Sequence, residues 1–143
     1  MFLGHYEHHL EAKGRLSIPK KFRKEIASGG VLTEGLDGCL FLFPKAKWEV
    51  LGKKLAATPL TKKDARAFAR FLTFGAFDCR LDKQGRVLIP DRLRKTAQIE
   101  KKVIVAGALD RIEIWSKSRF EGYLKKIERG SEEIAERLAE LEI

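Results

Sequence analysis

Cysteine is scarce in this chain, and the two present, Cys39 and Cys79, lie far apart. They match no metal-ligand spacing and frame no disulfide network, so they read as small apolar core residues. No apolar stretch approaches the roughly 18 residues that a membrane span needs. The opening MFLGHYEHHLEAKGR puts histidines and a glutamate where a signal peptide carries its apolar segment, so the expected location is the cytoplasm. The glycines form no phosphate-binding loop, and Ser17 and Ser28 have no matched base around them. His5, His8 and His9 do cluster, but on a strand His5 and His9 face one way and His8 the other, which does not converge three ligands on a metal. The expectation is therefore a protein without catalytic residues, metal, cofactor or small-molecule substrate.

What the chain does have is apolar content and positive charge. Its 143 residues are 44% hydrophobic and include nine phenylalanines, enough for a real core in one domain or in two small units sharing one. The net charge is +9, and it is unevenly placed. Residues 131–143 carry five glutamates against Arg137, so the first 130 residues carry +13. A basic body beside an acidic end suggests a polyanionic partner for the body.

The sequence also repeats itself. Lys13-Gly14-Arg15-Leu16-Ser17-Ile18-Pro19 returns as Gln84-Gly85-Arg86-Val87-Leu88-Ile89-Pro90, with the glycine, arginine and proline all at an offset of 71. Arg23 returns as Arg94 at the same offset, and beyond one inserted residue Leu42-Phe43 aligns with Ile114-Trp115 and Trp48-Glu49 with Phe120-Glu121. Fixed-offset self-similarity of this kind marks a duplicated structural unit.

Each copy predicts the same elements. An extended run (Phe2 to Leu10; Phe77 to Leu81) leads into a tight turn at Lys13-Gly14 or Gln84-Gly85, where glycine supplies a positive φ. Leu16 and Ile18, like Val87 and Ile89, then alternate with their neighbours as a half-buried strand does. Pro19 and Pro90 open short helices, running to about Ile26 and Ala97. Strand pairs follow, Val31 to Thr33 with Cys39 to Phe43, and Lys102 to Ala106 with Arg111 to Trp115. Amphipathic helices close the copies over Lys45 to Ala57 and Lys117 to Arg129. Further helices are predicted over Thr61 to Phe74 and, capped by Ser131, over Ser131 to Leu141. The expected organisation is thus a first repeat at 1–57, a connecting helix at 58–75, a second repeat at 76–129 and an acidic C-terminal helix at 130–143. The expected class is α+β. One copy is too small to bury its strands alone, so the two should interlock as a pseudo-twofold β-barrel with helices outside.

Arg15 and Arg86 open the strand after each turn, where a side chain can reach a nucleic-acid groove. Arginine suits the O6 and N7 edge of guanine, a pairing worth about 1–3 kcal/mol of discrimination. Lys13, Lys20, Lys21, Lys83 and Arg92 can contact phosphate, which gives affinity and register without sequence information. For Lys20, Lys21 and Arg92 an ordinary solvated charge is an equally good reading. For Arg15 and Arg86 the retention of the same charge at both turns favours function. Arg23 and Arg94 sit on the first helices, where an ion pair or a packed stem is at least as good a reading as a DNA contact.

These residues carry a family resemblance. MFLGHYEHHLEAKGRLSIPKKFR resembles the start of the MraZ family, bacterial regulators with two SpoVT/AbrB-like units in one chain. The family pattern Asp-x-Lys-Gly-Arg, then Pro and Arg, is matched at Lys13, Gly14, Arg15, Pro19 and Arg23, and again at Asp82, Gly85, Arg86, Pro90 and Arg94. Glu11 stands in place of the first Asp and keeps the charge, while Gln84 in place of the second Lys removes one cation and leaves the equivalence of the two turns open. The resemblance covers nearly the whole chain. It implies swapped-hairpin units and a ring-like homo-oligomer associated with the nucleoid. It also implies binding to double-stranded DNA at short repeated boxes upstream of the division and cell-wall gene cluster, which includes the regulator's own gene. Read from the residues themselves, the expected DNA-binding set is Lys13, Arg15, Lys20, Lys83 and Arg86. The apolar faces of Thr61–Phe74 and Ser131–Leu141 are candidate subunit contacts, with packing on their own barrel an equally good reading.

Two other readings remain. Some AbrB-type units act as antitoxins, and the acidic segment from Ser131 can be read as a toxin-neutralising tail. RNA fits the charge as well, but no stacking aromatics accompany the basic turns, and Phe41, Phe43 and Trp115 fall on strands where core packing suits them better.

Overall fold

The computed structural model describes residues 1–142. Its elements, in chain order, are β1 (His5–His9), β2 (Arg15–Ser17), α1 (Lys20–Ile26), β3 (Gly30–Glu34), β4 (Leu40–Pro44), α2 (Lys45–Ala56), α3 (Lys63–Phe74), β5 (Phe77–Cys79), β6 (Arg86–Leu88), α4 (Asp91–Thr96), β7 (Lys102–Gly107), β8 (Ile112–Ser116) and α5 (Lys117–Arg137). Short 3-10 turns lie at Ala12–Gly14 and Ala139–Leu141. The class is α+β, with every strand pairing antiparallel.

Six strands form one sheet in the order β1-β7-β8-β4-β3-β5, and β2 and β6 form a separate two-stranded ribbon. Carried through the duplication, β1 becomes β5, β3 becomes β7 and β4 becomes β8, so the strand order maps onto itself. The two copies meet at the centre, where Leu40 to Leu42 pair with Ile112 to Ile114. Each copy also lends its first strand to the other: β1 pairs with β7, and β5 with β3. The sheet is open, with β1 and β5 as its edges, so the continuous closed barrel expected from the sequence is not what the strand pairing describes.

Alternation along the strands divides the apolar side chains between two layers. Leu32, Leu40, Leu42, Val103, Val105, Ile112 and Ile114 face the ribbon and pack with Leu16, Ile18, Val87 and Ile89 and with Phe22 and Leu93 of α1 and α4. Phe41, Phe43, Ile104, Ala106 and Trp115 face the other way, against Trp48 and Leu51 of α2 and Phe120 and Tyr123 of α5. With both sheet faces covered, β4 is buried along its whole length, which its continuous apolar run Leu40 to Pro44 matches.

Cys39 and Cys79 are free thiols inside the core. Burial drives the Cys39 thiol far above its ordinary value and pushes that of Cys79 up to about 12. Both therefore stay protonated and unreactive.

One helix boundary differs from expectation. No helix starts at Ser131, because α5 runs unbroken from Lys117 to Arg137. The Ser131 hydroxyl donates to the Glu128 carbonyl (3.3 Å) inside the helix instead of capping a new one. Tyr123, Ile127, Gly130, Ile134 and Leu138 keep helical spacing through that point, so no change of phase forces a break.

Candidate functional site

The ribbon places the repeated arginines. Arg15 pairs with Leu88, Leu16 with Val87 and Ser17 with Arg86. Leu16 and Val87 point inward, 0% and 1% exposed, which turns Arg15, Ser17, Arg86 and Leu88 outward on one face. Burial of such side chains, each worth about 1.5–3 kcal/mol, anchors the ribbon and fixes that face. The two arginines stand at diagonal corners of the ribbon, close enough for long side chains to work on one ligand. Because β2 and β6 are antiparallel, the turns that precede them lie at opposite ends.

The turns share a backbone pattern. In the first, the Glu11 N–H donates to the Arg15 carbonyl (2.8 Å) and the Gly14 N–H to that of Glu11 (3.2 Å). In the second, the Asp82 N–H donates to Arg86 (2.8 Å) and the Gly85 N–H to Asp82 (3.0 Å). The copies then cross-link: the Ile18 N–H donates to the Gly85 carbonyl (3.0 Å) and the Ile89 N–H to that of Gly14 (2.8 Å). Gly14 and Gly85 take φ of 77° and 76°, the left-handed region that glycine enters without penalty.

Lys13 is exposed on the first turn, itself left-handed at φ 65°. Lys83 is exposed on the second turn, and Lys20 is exposed at the first residue of α1. Arg15 and Arg86 are half-buried on the ribbon. The five candidates therefore fall on the ribbon, its two turns and the start of the adjoining helix.

Arg23 and Arg94 turn out to be braces. The guanidinium of Arg23 lies over Gly85, and that of Arg94 over Gly14, so the first helix of each copy holds the turn of the other. Arg23 Nε also donates to the Ile18 carbonyl (2.7 Å), and Arg94 bonds Asp91 (3.3 Å).

Sequence reasoning missed the acidic partners. Asp82 Oδ1 accepts from the N–H groups of Gln84 and Arg86, both at 2.9 Å, and Oδ2 accepts from Arg86 Nε (2.9 Å). Those donors, the Arg86 N–H foremost, hold the Asp82 carboxyl below its ordinary range. Glu11 Oε1 accepts from Arg86 Nη1 (3.3 Å) and Oε2 from the Ser17 hydroxyl (3.3 Å). Asp82 and Glu11 together raise the Arg86 guanidinium further above its already high value. The signal that could have found these partners was an acid four residues before each arginine.

Among the described residues no group of three or more His, Cys, Asp or Glu side chains could hold a metal ion. His5 packs its ring on Phe120, with centroids 4.9 Å apart. No described helix is long and apolar enough to cross a membrane.

A protein-family model described as "MraZ protein, putative antitoxin-like" matches this chain twice, over residues 1–71 and 72–141. The chain belongs to the MraZ family. Curated MraZ relatives align with it from end to end. The "Transcriptional regulator MraZ" of Thermoanaerobacter pseudethanolicus is 53% identical over 143 residues, covering 100% of both chains. That of Caldanaerobacter subterraneus subsp. tengcongensis is 53% identical over 138 residues, covering 96% of each. That of Halothermothrix orenii is 48% identical, again over 100% of both. The two MraZ matches divide the chain at 71/72, just before the end of α3 at Phe74.

Proposed function

We propose that this protein is a DNA-binding transcriptional regulator, not an enzyme, and that it lays the outward face of the β2–β6 ribbon against double-stranded DNA. The observation that carries this reading is the sharing of one ribbon face by Arg15 and Arg86 over the buried pair Leu16 and Val87. A two-stranded ribbon fits the major groove, where arginine reads guanine. In this reading Arg15 and Arg86 contact bases, while Lys13, Lys20 and Lys83 hold phosphates. The relatives' shared name, transcriptional regulator, supports the regulatory role.

Finer parts of the reading follow the family resemblance. We take the units as 1–57 and 76–129, with 58–75 and 130–143 outside them. They act as a swapped-hairpin barrel whose ribbon covers one side of the sheet, a view that the two strand exchanges support. The operator is a set of repeated boxes upstream of the division and cell-wall gene cluster, the protein's own gene included, and the protein works in the cytoplasm on the nucleoid. A ring-like homo-oligomer would let several weak ribbons act on phased boxes through effective concentration. Apolar side chains left exposed on or beside α3, Phe74 at 81% and Leu60 at 82%, support a subunit contact there.

The test is binding of purified protein to its own upstream DNA and to a scrambled duplex across salt, with Arg15→Ala and Arg86→Ala alongside. Specific binding lost in either variant, with circular dichroism unchanged, is the expected result. Lys13→Ala should weaken both duplexes alike and lower the salt slope by about one. Equal binding of scrambled DNA, with both arginine variants behaving as wild type, would overturn the reading.

A further inference from the structure

The 71-residue offset gives the two ribbon arginines matching positions but not matching surroundings. Arg86 stands opposite Ser17, and Arg15 opposite Leu88. Glu11 uses that serine: Ser17 Oγ bonds one carboxylate oxygen at 3.3 Å while the other oxygen meets Arg86 Nη1 at 3.3 Å. Asp82 meanwhile takes the Nε side of the same guanidinium at 2.9 Å. Arg15 has no such company. Among the described residues its side chain enters no hydrogen bond and no ion pair, and the apolar Leu88 beside it gives a carboxylate nothing to lean on. The residue that matches Glu11 in the second copy is Asp82, a shorter acid already committed to its own turn.

The occupied donors matter because arginine reads a guanine, or clasps a phosphate, through two parallel N–H groups. With Nε bonded to Asp82, the side-on edge of Arg86 is taken. The end-on pair, Nη1 and Nη2, is what remains, and Glu11 stands at Nη1. Its negative charge also repels phosphate at Arg86, whereas among the described residues no acid pairs with Arg15 or Lys13.

We propose that Glu11 is a built-in competitor for Arg86: it holds the second-copy arginine in the free protein, DNA must displace it, and Arg15 engages first and unopposed. Asp82 has the opposite role, fixing the guanidinium so that its end-on pair points outward. The proposal rests on the DNA-binding reading above and adds an order of engagement. Sites that offer Arg86 a well-placed acceptor pair repay the displacement and others do not, so Glu11 sharpens selection at the expense of affinity.

Two measurements test it, each with Glu11→Ala and the shape-conserving Glu11→Gln. The first uses free protein and nitrogen-15 NMR of the arginine guanidinium groups. Hindered rotation at Arg86 but not at Arg15 is expected in the wild type, with release of Arg86 in Glu11→Ala. The second is DNA affinity in a double-mutant cycle with Arg86→Ala. Exposed ion pairs and phosphate repulsion are modest, so Glu11→Ala should bind scrambled duplex about two- to tenfold more tightly. Its own upstream DNA should gain less, and most of the gain should vanish when Arg86 is absent. A gain of the same size with and without Arg86, or unchanged guanidinium rotation in Glu11→Ala, would overturn the proposal. Failure of the DNA-binding reading looks different: no protein, variant or wild type, would distinguish its own upstream DNA from scrambled duplex, and the competitor proposal would fall with it.

Discussion

Arg23 of the first copy rests its guanidinium on Gly85 of the second, in the space that any side chain at position 85 would occupy. The glycine also holds φ at 76°, so an alanine there meets strain from both its backbone and its neighbour. Gly85→Ala should destabilise the fold by more than about 1 kcal/mol, read as a lower urea midpoint. Adding Arg23→Ala removes the collision but not the backbone strain. The double variant should therefore lose less than the two single losses combined.

Thr33 is completely buried, and its hydroxyl donates to the Leu72 carbonyl (2.7 Å), one of the last carbonyls of α3. Thr33→Val keeps the shape and leaves that acceptor without its donor. A loss of about 1–3 kcal/mol is expected in urea unfolding. Faster amide exchange should appear at the C-terminal end of α3, with the ribbon unaffected.

Asp82 gives the second turn a pH dependence of known sign. Its folded-state value lies below the ordinary 3.8, held there by the N–H groups of Arg86 and Gln84 and by the Arg86 side chain. The stability it contributes is fully present above the unfolded value and is lost as pH falls through the folded one. Between pH 6 and 3 the urea midpoint of Asp82→Asn should fall less steeply than that of wild type. Equal slopes would show that the carboxylate does not hold the turn.

Leu16 and Leu88 sit in strands that pair with each other, yet they should respond oppositely to truncation. Leu16 is 0% exposed, and Leu16→Ala should cost about 2–5 kcal/mol and release the ribbon, taking DNA binding with it. Leu88 is 37% exposed on the outward face. Leu88→Ser should leave thermal stability nearly unchanged.

The repeat made most of the architecture legible. The Gly-Arg turns, the inward Leu16, Ile18, Val87 and Ile89, and the two strand pairs all follow from alternation and turn chemistry, which are local. Partner choice is not local. The bracing of Gly85 by Arg23 and the reach of Glu11 to Arg86 depend on which copy's strand lies beside which, and the sequence alone leaves that open. The continuity of α5 was missed for a related reason: Gly130-Ser131 has the chemistry of a helix boundary, but the apolar stripe on either side stays in phase. At the site, the matching positions of Arg15 and Arg86 could be read from the offset. Their unequal partners could be read only once Ser17 and Leu88 were seen as the residues across the ribbon.

The exchange of first strands has a kinetic side. β1 meets a partner, β7, that begins only at Lys102, so most of the polypeptide must be made before that ladder can close. A nascent first copy on the ribosome would hold β3 and β4 with an open edge each, waiting for β5 and β8. Folding should therefore be slow and all-or-none for its size, as high contact order dictates. Cut in the loop between α2 and α3, the chain should yield two fragments that stay unstructured apart and fold when mixed.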